Sequence, residues 1–135
     1  VVGHSHSNDP LPSNAAIASI DIILEEVLVD VAKKIGAYWR SHLEELARRH
    51  SLIGDIRGKG LLQGIELVED RVTKEPAYQA GQAIGRICLE SGLIMSLRRR
   101  GSVFRFVPPF TTTEEQMDLA ADILDHAFRQ VTDSA

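Results

Sequence analysis

The hydrophobic period of the chain changes at Ile53, and that change constrains the fold more than any other feature. Before it, apolar residues recur in three- and four-residue steps. Ile17, Ile20, Ile23, Leu24, Val27, Leu28 and Val31 form one series, and Ile35, Tyr38, Trp39, Leu43 and Leu46 continue it. That period belongs to helices with one apolar face. No Gly or Pro punctuates Val27 to Asp30, so residues 14–50 are expected to form two helices or one bent one. Asp9-Pro10-Leu11-Pro12 reads as the end of an irregular lead-in, because each proline disfavours helix in the residue before it, with Ser13 as the expected N-cap. The basic run Arg48-Arg49-His50 suits a helix C-terminus.

After Ile53, short aliphatic runs are cut by glycines. Gly54-Asp55-Ile56-Arg57-Gly58-Lys59-Gly60 leads into Leu61-Leu62-Gln63-Gly64-Ile65-Glu66-Leu67-Val68, which suggests two short strands joined at Gly58 and Gly60. A loop at Thr73-Lys74-Glu75-Pro76 precedes a helical stretch over 77–91, closed by Gly92. Leu93 to Leu97 reads as a strand, Arg98 to Gly101 as a turn, and Val103 to Val107 as a strand stopped by Pro108-Pro109. Thr113 with Gln116 is a capping box for a last helix. The order β-β-α-β-β-α describes an α/β fold, a small domain with a mostly antiparallel sheet covered by helices. The expected division is a lead-in loop and helical arm over residues 1–50 and a small α/β domain over residues 51–135.

Composition narrows the function classes. With 44% apolar residues in 135, a core can form. A formal net charge of −4 and 5% aromatics argue against a nucleic-acid partner. No apolar run approaches the ~20 residues that span a bilayer, and the start lacks the basic and apolar regions of a signal peptide. A lone Cys88 suits a reducing, cytoplasmic setting, and on an apolar helix face it reads as a core residue. The opening Val1-Val2-Gly3 carries no initiator Met, so a piece of a longer protein is expected.

Arg105 is the residue with most chemical promise. On a strand it shares a face with Val103 and Val107, while Phe104 and Phe106 point the other way. If buried, its guanidinium needs an anion and offers a fork that fits a carboxylate; if exposed, it sits in water. Arg57 is expected to pair with Asp55 or Glu66. Ser5, Ser7 and Asn8 could hold a phosphate, whereas His4 and His6 lack the companions of a metal site, so no metal is expected. None of Lys33, Lys34, Lys59 and Lys74 has the apolar surroundings of a Schiff-base lysine.

Taken in order, Ser5-His6-Ser7-Asn8-Asp9-Pro10-Leu11-Pro12, Ile53 to Leu67, Thr73-Lys74-Glu75-Pro76 and Val103-Phe104-Arg105-Phe106-Val107-Pro108-Pro109 resemble the C-terminal third of a class III aminotransferase. These are fold-type-I enzymes dependent on pyridoxal phosphate, and the branch most resembled is dialkylglycine decarboxylase. The resemblance implies amino-group transfer between an amino acid or amine and a 2-oxo acid, possibly coupled to decarboxylation, in a homodimer. It implies that Arg105 binds the substrate carboxylate. Ser5 stands where the family usually has Thr, whose hydroxyl and N–H reach the cofactor phosphate of the neighbouring subunit. The family's cofactor-bearing lysine lies upstream of the matching stretch, so the segment alone is not expected to catalyse and contains no catalytic residue. The loop from Arg98 to Ser102 is shorter and more basic than the decarboxylase pattern. A stand-alone binding or interaction domain, or a truncated remnant, are the competing classes.

Overall fold

A computed structural model describes residues 9–133, which fall into two compact units whose boundary in sequence lies between Val31 and Ala32. In the first, helix α1 spans Pro10–Glu25. It begins earlier than the sequence suggests. Its N-cap is Asp9, whose carboxylate accepts from the Leu11 N–H at 3.0 Å, and the Ser13 hydroxyl bonds back to the Asp9 carbonyl at 2.8 Å. A proline in the first turn loses nothing, since the N–H it lacks has no partner there. No residue of α1 is buried; Ile17, Ile20 and Leu24 are exposed. The helix stops at Glu26, and Val27 takes a φ of 52° before helix α2 starts at Leu28. Of the two expectations for residues 14–50, separate helices are therefore observed.

The second unit holds α2 from Ala32 onward, a four-stranded sheet and two more helices. Helix α2 (Leu28–Arg49) buries Ile35, Trp39, Leu43 and Leu46 on one stripe. Its C-terminal end is tied down from outside: Arg71 donates to Ala47 O in the last turn at 2.6 Å and, just beyond the helix, to His50 O at 2.9 Å and Ser51 O at 3.1 Å. Strands β1 (Ile53–Lys59) and β2 (Leu62–Leu67) form the expected hairpin, turning through Gly60 at a φ of 55°. Helix α3 is Tyr78–Glu90, with Gly92 left-handed just past its end. Strand β3 is only Ser96–Arg98, and a 3-10 turn at Arg99–Gly101 joins it to β4 (Val103–Phe106). The expected strand at Leu93 therefore starts three residues late.

Helix α4 (Glu114–Asp133) opens on the predicted capping box. Thr113 Oγ1 accepts from the Gln116 N–H at 3.3 Å, and the Gln116 side chain accepts from the Thr113 N–H at 3.0 Å.

All strand pairs are antiparallel, in the order β1-β2-β4-β3. One face carries the core: Ile65, Leu67, Phe104 and Phe106 of the strands are buried, as are Trp39, Ile84, Leu124 and Phe128 of the helices. Phe106 lies edge-on to Trp39, ring centroids 5.1 Å apart. The other sheet face carries no core residue, the arrangement an antiparallel sheet allows.

Candidate functional site

Strand β4 decides which way Arg105 points. Phe104 and Phe106 flank it and are buried, so pleat alternation turns Arg105 to the open face, where it is exposed. The register then sets its neighbours. Arg105 is opposite Gly64 on β2 and Ser96 on β3, and Arg57 on β1 is opposite Gly64. The next row across the sheet is Asp55, Glu66, Val103 and Arg98. The open face is thus a small charged platform, and Gly64 leaves a gap beside Arg105 with no side chain in it.

Within the platform the charges sort themselves. Arg57 pairs with Glu66 at 2.8 Å and with Asp55, as its spacing suggests. Glu66, then Asp55, hold the Arg57 guanidinium still further above its ordinary range, so it is committed to structure. Arg99 lies 3.5 Å from Glu66. Among the described residues, Arg105 has no hydrogen bond or ion pair. Of the two sequence readings of Arg105, the exposed one describes this chain, with the fork left available. A mostly apolar pocket of about 640 Å3, with Trp39 and Met117 in its wall, has Arg105 and Ser96 among its lining residues.

The turn that follows β3 is an unexpected part of the site. Arg99, Arg100 and Gly101 have φ of 47°, 58° and 100°. The left-handed region costs a non-glycine residue about 1–2 kcal/mol, so two arginines in succession need bracing. Gln82 on α3 donates to Arg100 O at 3.0 Å, and Ser102 donates to Arg99 O through its N–H at 3.2 Å and its hydroxyl at 3.0 Å. Gly101 packs directly on Gly81 of α3, where no Cβ fits. The sequence marked this stretch as a basic turn; its only hint of rigidity was the pair Gly81 and Gly101.

The other sequence candidates resolve as structure. Cys88 is buried, and burial pushes its thiol up to about 11, so it is a core residue. His50 is stacked on Phe128 and lies 2.7 Å from Asp125, which also meets Arg49 at 2.9 Å and Arg129 at 2.5 Å. Burial raises the Asp125 carboxyl, but the His50 hydrogen bond and the arginine charges outweigh it and hold the group below the usual range. The Tyr38 hydroxyl donates to Asp118 at 2.6 Å, which pushes the phenol up to about 12. Both clusters tie α2 to α4. Ser5, Ser7, Asn8, His4 and His6 lie outside the described residues. Among the described residues no group of three or more His, Cys, Asp or Glu could hold a metal ion, and no helix is long and apolar enough to cross a membrane.

A pyridoxal phosphate site needs a lysine for the aldehyde carbon and donors for the phosphate. Neither is assembled beside Arg105. Lys34 pairs with Glu114 at 3.0 Å, Lys74 donates to Gly54 O at 3.2 Å, and neither Lys33 nor Lys59 lines the pocket. The described residues therefore do not by themselves hold the cofactor; at Arg105 they leave an exposed guanidinium with no partner among them.

Comparison with known proteins gives this arrangement a context. The family model for aminotransferase class III matches residues 2–128. A leucine/methionine racemase of Thermococcus litoralis is 39% identical over 132 residues, covering 96% of this chain and 30% of the racemase. An uncharacterized aminotransferase of Schizosaccharomyces pombe is 40% identical over 126 residues, covering 91% of this chain and 28% of that protein. A PLP-bound amine transaminase from an uncultivated Pseudomonas species superposes with a TM-score of 0.86 at 31% identity, over 96% of this chain and 30% of that one. The chain thus spans about 30% of the length of proteins it matches.

Proposed function

The chain belongs to the class III aminotransferase family, and on that premise we propose that it is the C-terminal part of a pyridoxal-phosphate-dependent aminotransferase whose substrate carboxylate is bound by Arg105. The reaction is transfer of an amino group between an amino acid or amine and a 2-oxo acid. The observation that carries the reading is the state of Arg105: an exposed guanidinium with no protein partner among the described residues, on a rigid strand, beside a glycine gap and the Ser96 hydroxyl. A carboxylate meets such a fork with two parallel charge-assisted hydrogen bonds. That contact fixes the substrate's orientation, which is worth more to catalysis than the affinity alone.

The rest of the proposal concerns the whole protein. The cofactor sits on a lysine outside this stretch and acts as electron sink when bound. Ser5 contributes a hydroxyl to the cofactor phosphate of the other subunit of a homodimer. For the whole enzyme the proposed division is a lead-in and helical arm over residues 1–50 and a small α/β domain over residues 51–135, although the compact unit of the structure already begins at Ala32 because the α2 stripe from Ile35 to Leu46 is part of its core. The buried, free Cys88 supports a cytoplasmic location. Within the family, the dialkylglycine decarboxylase branch is favoured by the runs Ile53 to Leu67 and Val103 to Pro109.

A second reading, racemisation of an amino acid, is favoured by the 39% identity to the racemase. It leaves Arg105 in the same role. Product analysis separates the two: an aminotransferase converts one equivalent of 2-oxo acid for each amino acid consumed, and a racemase converts none. Borohydride reduction of the full-length protein followed by peptide mapping tests the cofactor assignment. The reading expects a pyridoxyl-lysine outside residues 1–135; a protein that takes up no pyridoxal phosphate contradicts it.

A further inference from the structure

Strand register puts a second hydrogen-bond donor beside Arg105. The row across the open face runs Arg57, Gly64, Arg105, Ser96. Arg57 is committed to Asp55 and Glu66, and Gly64 has no side chain. Glu66 is matched by Arg57 and Arg99, so it does not compete for Arg105. In this row the Arg105 guanidinium and the Ser96 hydroxyl are the polar groups without a partner among the described residues. We propose that Ser96 is a substrate-binding residue whose hydroxyl donates to the carboxylate held by Arg105. This rests on the reading of Arg105 given above and adds a second donor to it.

The geometry follows from the pairing. Ser96 and Arg105 are directly opposite on β3 and β4, so their side chains leave the same face. The Cβ atoms of such a pair are roughly 5 Å apart. Serine is short and arginine long, so one carboxylate meets both when the arginine lies along the sheet. Both residues line one pocket, with Met95, Val107 and Pro108 among its other walls, so the space beside them is shared. A carboxylate has about four lone-pair sites. The arginine fork takes two of them, which leaves room for the serine O–H.

The fate of the other serine hydroxyls supports the role. Those of Ser13, Ser19, Ser41 and Ser102 each donate to a backbone carbonyl three or four residues back, which helices and turns bring within reach. An extended strand carries no carbonyl in that place, and the Ser96 hydroxyl has no hydrogen bond among the described residues. The Ser51 and Ser91 hydroxyls also lack one, but both residues are exposed and water serves them. Ser96 is half-buried. A half-buried hydroxyl beside a cation, with a proton to give and no protein acceptor, is suited to an anionic oxygen.

Binding of pentanoate to the full-length holoenzyme tests the assignment, measured by isothermal titration calorimetry so that the readout does not depend on turnover. Ser96→Ala is expected to weaken pentanoate about threefold to tenfold, the size of one hydrogen bond. In steady-state kinetics the same variant should raise KM for norvaline by a similar factor and leave butylamine, which is norvaline without its carboxylate, unchanged. Ser96→Thr keeps the hydroxyl and suits a strand, so it should stay within about twofold of wild type. Normal pentanoate binding in Ser96→Ala overturns the proposal, and so does an equal loss for norvaline and butylamine. Arg105→Gln separates the two readings. If it weakens pentanoate while Ser96→Ala does not, the Arg105 reading stands and the Ser96 proposal falls; if it leaves pentanoate unchanged, the Arg105 reading itself fails.

Discussion

Replacing Gly81 with alanine probes the link between α3 and the strained turn. A Cβ at this position would lie 2.1 Å from Gly101 O and 2.8 Å from Gly101 C, where real Cβ atoms do not come closer than 3.0 Å. The turn must retreat by about 0.9 Å, and it cannot do so by rotating a side chain, because both obstructing atoms are backbone. Two effects compete in stability. Alanine favours the helix by about 1 kcal/mol over glycine, while overpacking costs roughly 1–3 kcal/mol. The expected outcome is a small net loss, on the order of 1 kcal/mol. The kinetic effect is larger, because a misplacement near 1 Å can cost roughly a hundredfold when it reaches the reacting geometry. Arg105 lies four residues beyond Gly101, so the expected rise in KM for a carboxylate substrate is smaller, about tenfold. Steady-state kinetics and thermal unfolding of the full-length holoenzyme read both effects. Gly92→Ala is the control: its φ is 89°, but nothing lies within 4 Å of a Cβ there, so it strains the chain without moving the turn. Unchanged KM and unchanged unfolding in Gly81→Ala would refute the claim that α3 braces the turn.

Three further outcomes follow from the same contacts. Asp125→Asn should destabilise the protein by about 1–3 kcal/mol, since it removes the anion that meets buried His50. The Asp125 carboxyl is held below its ordinary range, so its contribution is full above the unfolded value, about pH 4, and is lost as pH falls through the folded value. Urea unfolding across acid pH should therefore show a shallower loss of stability in the variant; equal slopes would refute the pairing. Gly64→Ala places a methyl in the gap beside Arg105, with Phe104 O 3.0 Å away, and should weaken carboxylate substrates roughly tenfold with little change in unfolding temperature. Cys88 should resist a thiol reagent at pH 8 in the native protein and react readily in urea, because its thiol is buried and pushed up to about 11; rapid native labelling would refute that placement.

Much of the fold was legible because local rules and tertiary packing agree. The period change at Ile53, the hairpin glycines, the Thr113–Gln116 capping box and the Phe-Arg-Phe alternation of β4 each act over a few residues. The start of α1 was misread because two prolines look like a helix barrier, whereas in a first turn they are compatible with helix and Asp9 caps it. The break at Val27 left no signal, since a valine at a φ of 52° is something no propensity favours. The site was legible in part. Arg105 stood out from its neighbours, but the row that places Ser96 and Gly64 beside it depends on strand register, which the sequence does not state. His50 looked like one more cation at a helix end. Its burial against Asp125, 75 residues away, depends on the packing of α2 on α4. The rigidity of the Arg99–Gly101 turn was hidden because its left-handed residues are arginines, not glycines.

The most direct measurement uses Arg105→Ala in the full-length holoenzyme, with two amino donors compared side by side: an amino acid and an amine of similar size lacking the carboxylate. Loss of a charge-assisted fork should raise KM for the amino acid roughly tenfold to a hundredfold and leave the amine nearly unchanged. Equal losses for both donors, or no loss for either, would contradict the assignment of Arg105 to the substrate carboxylate.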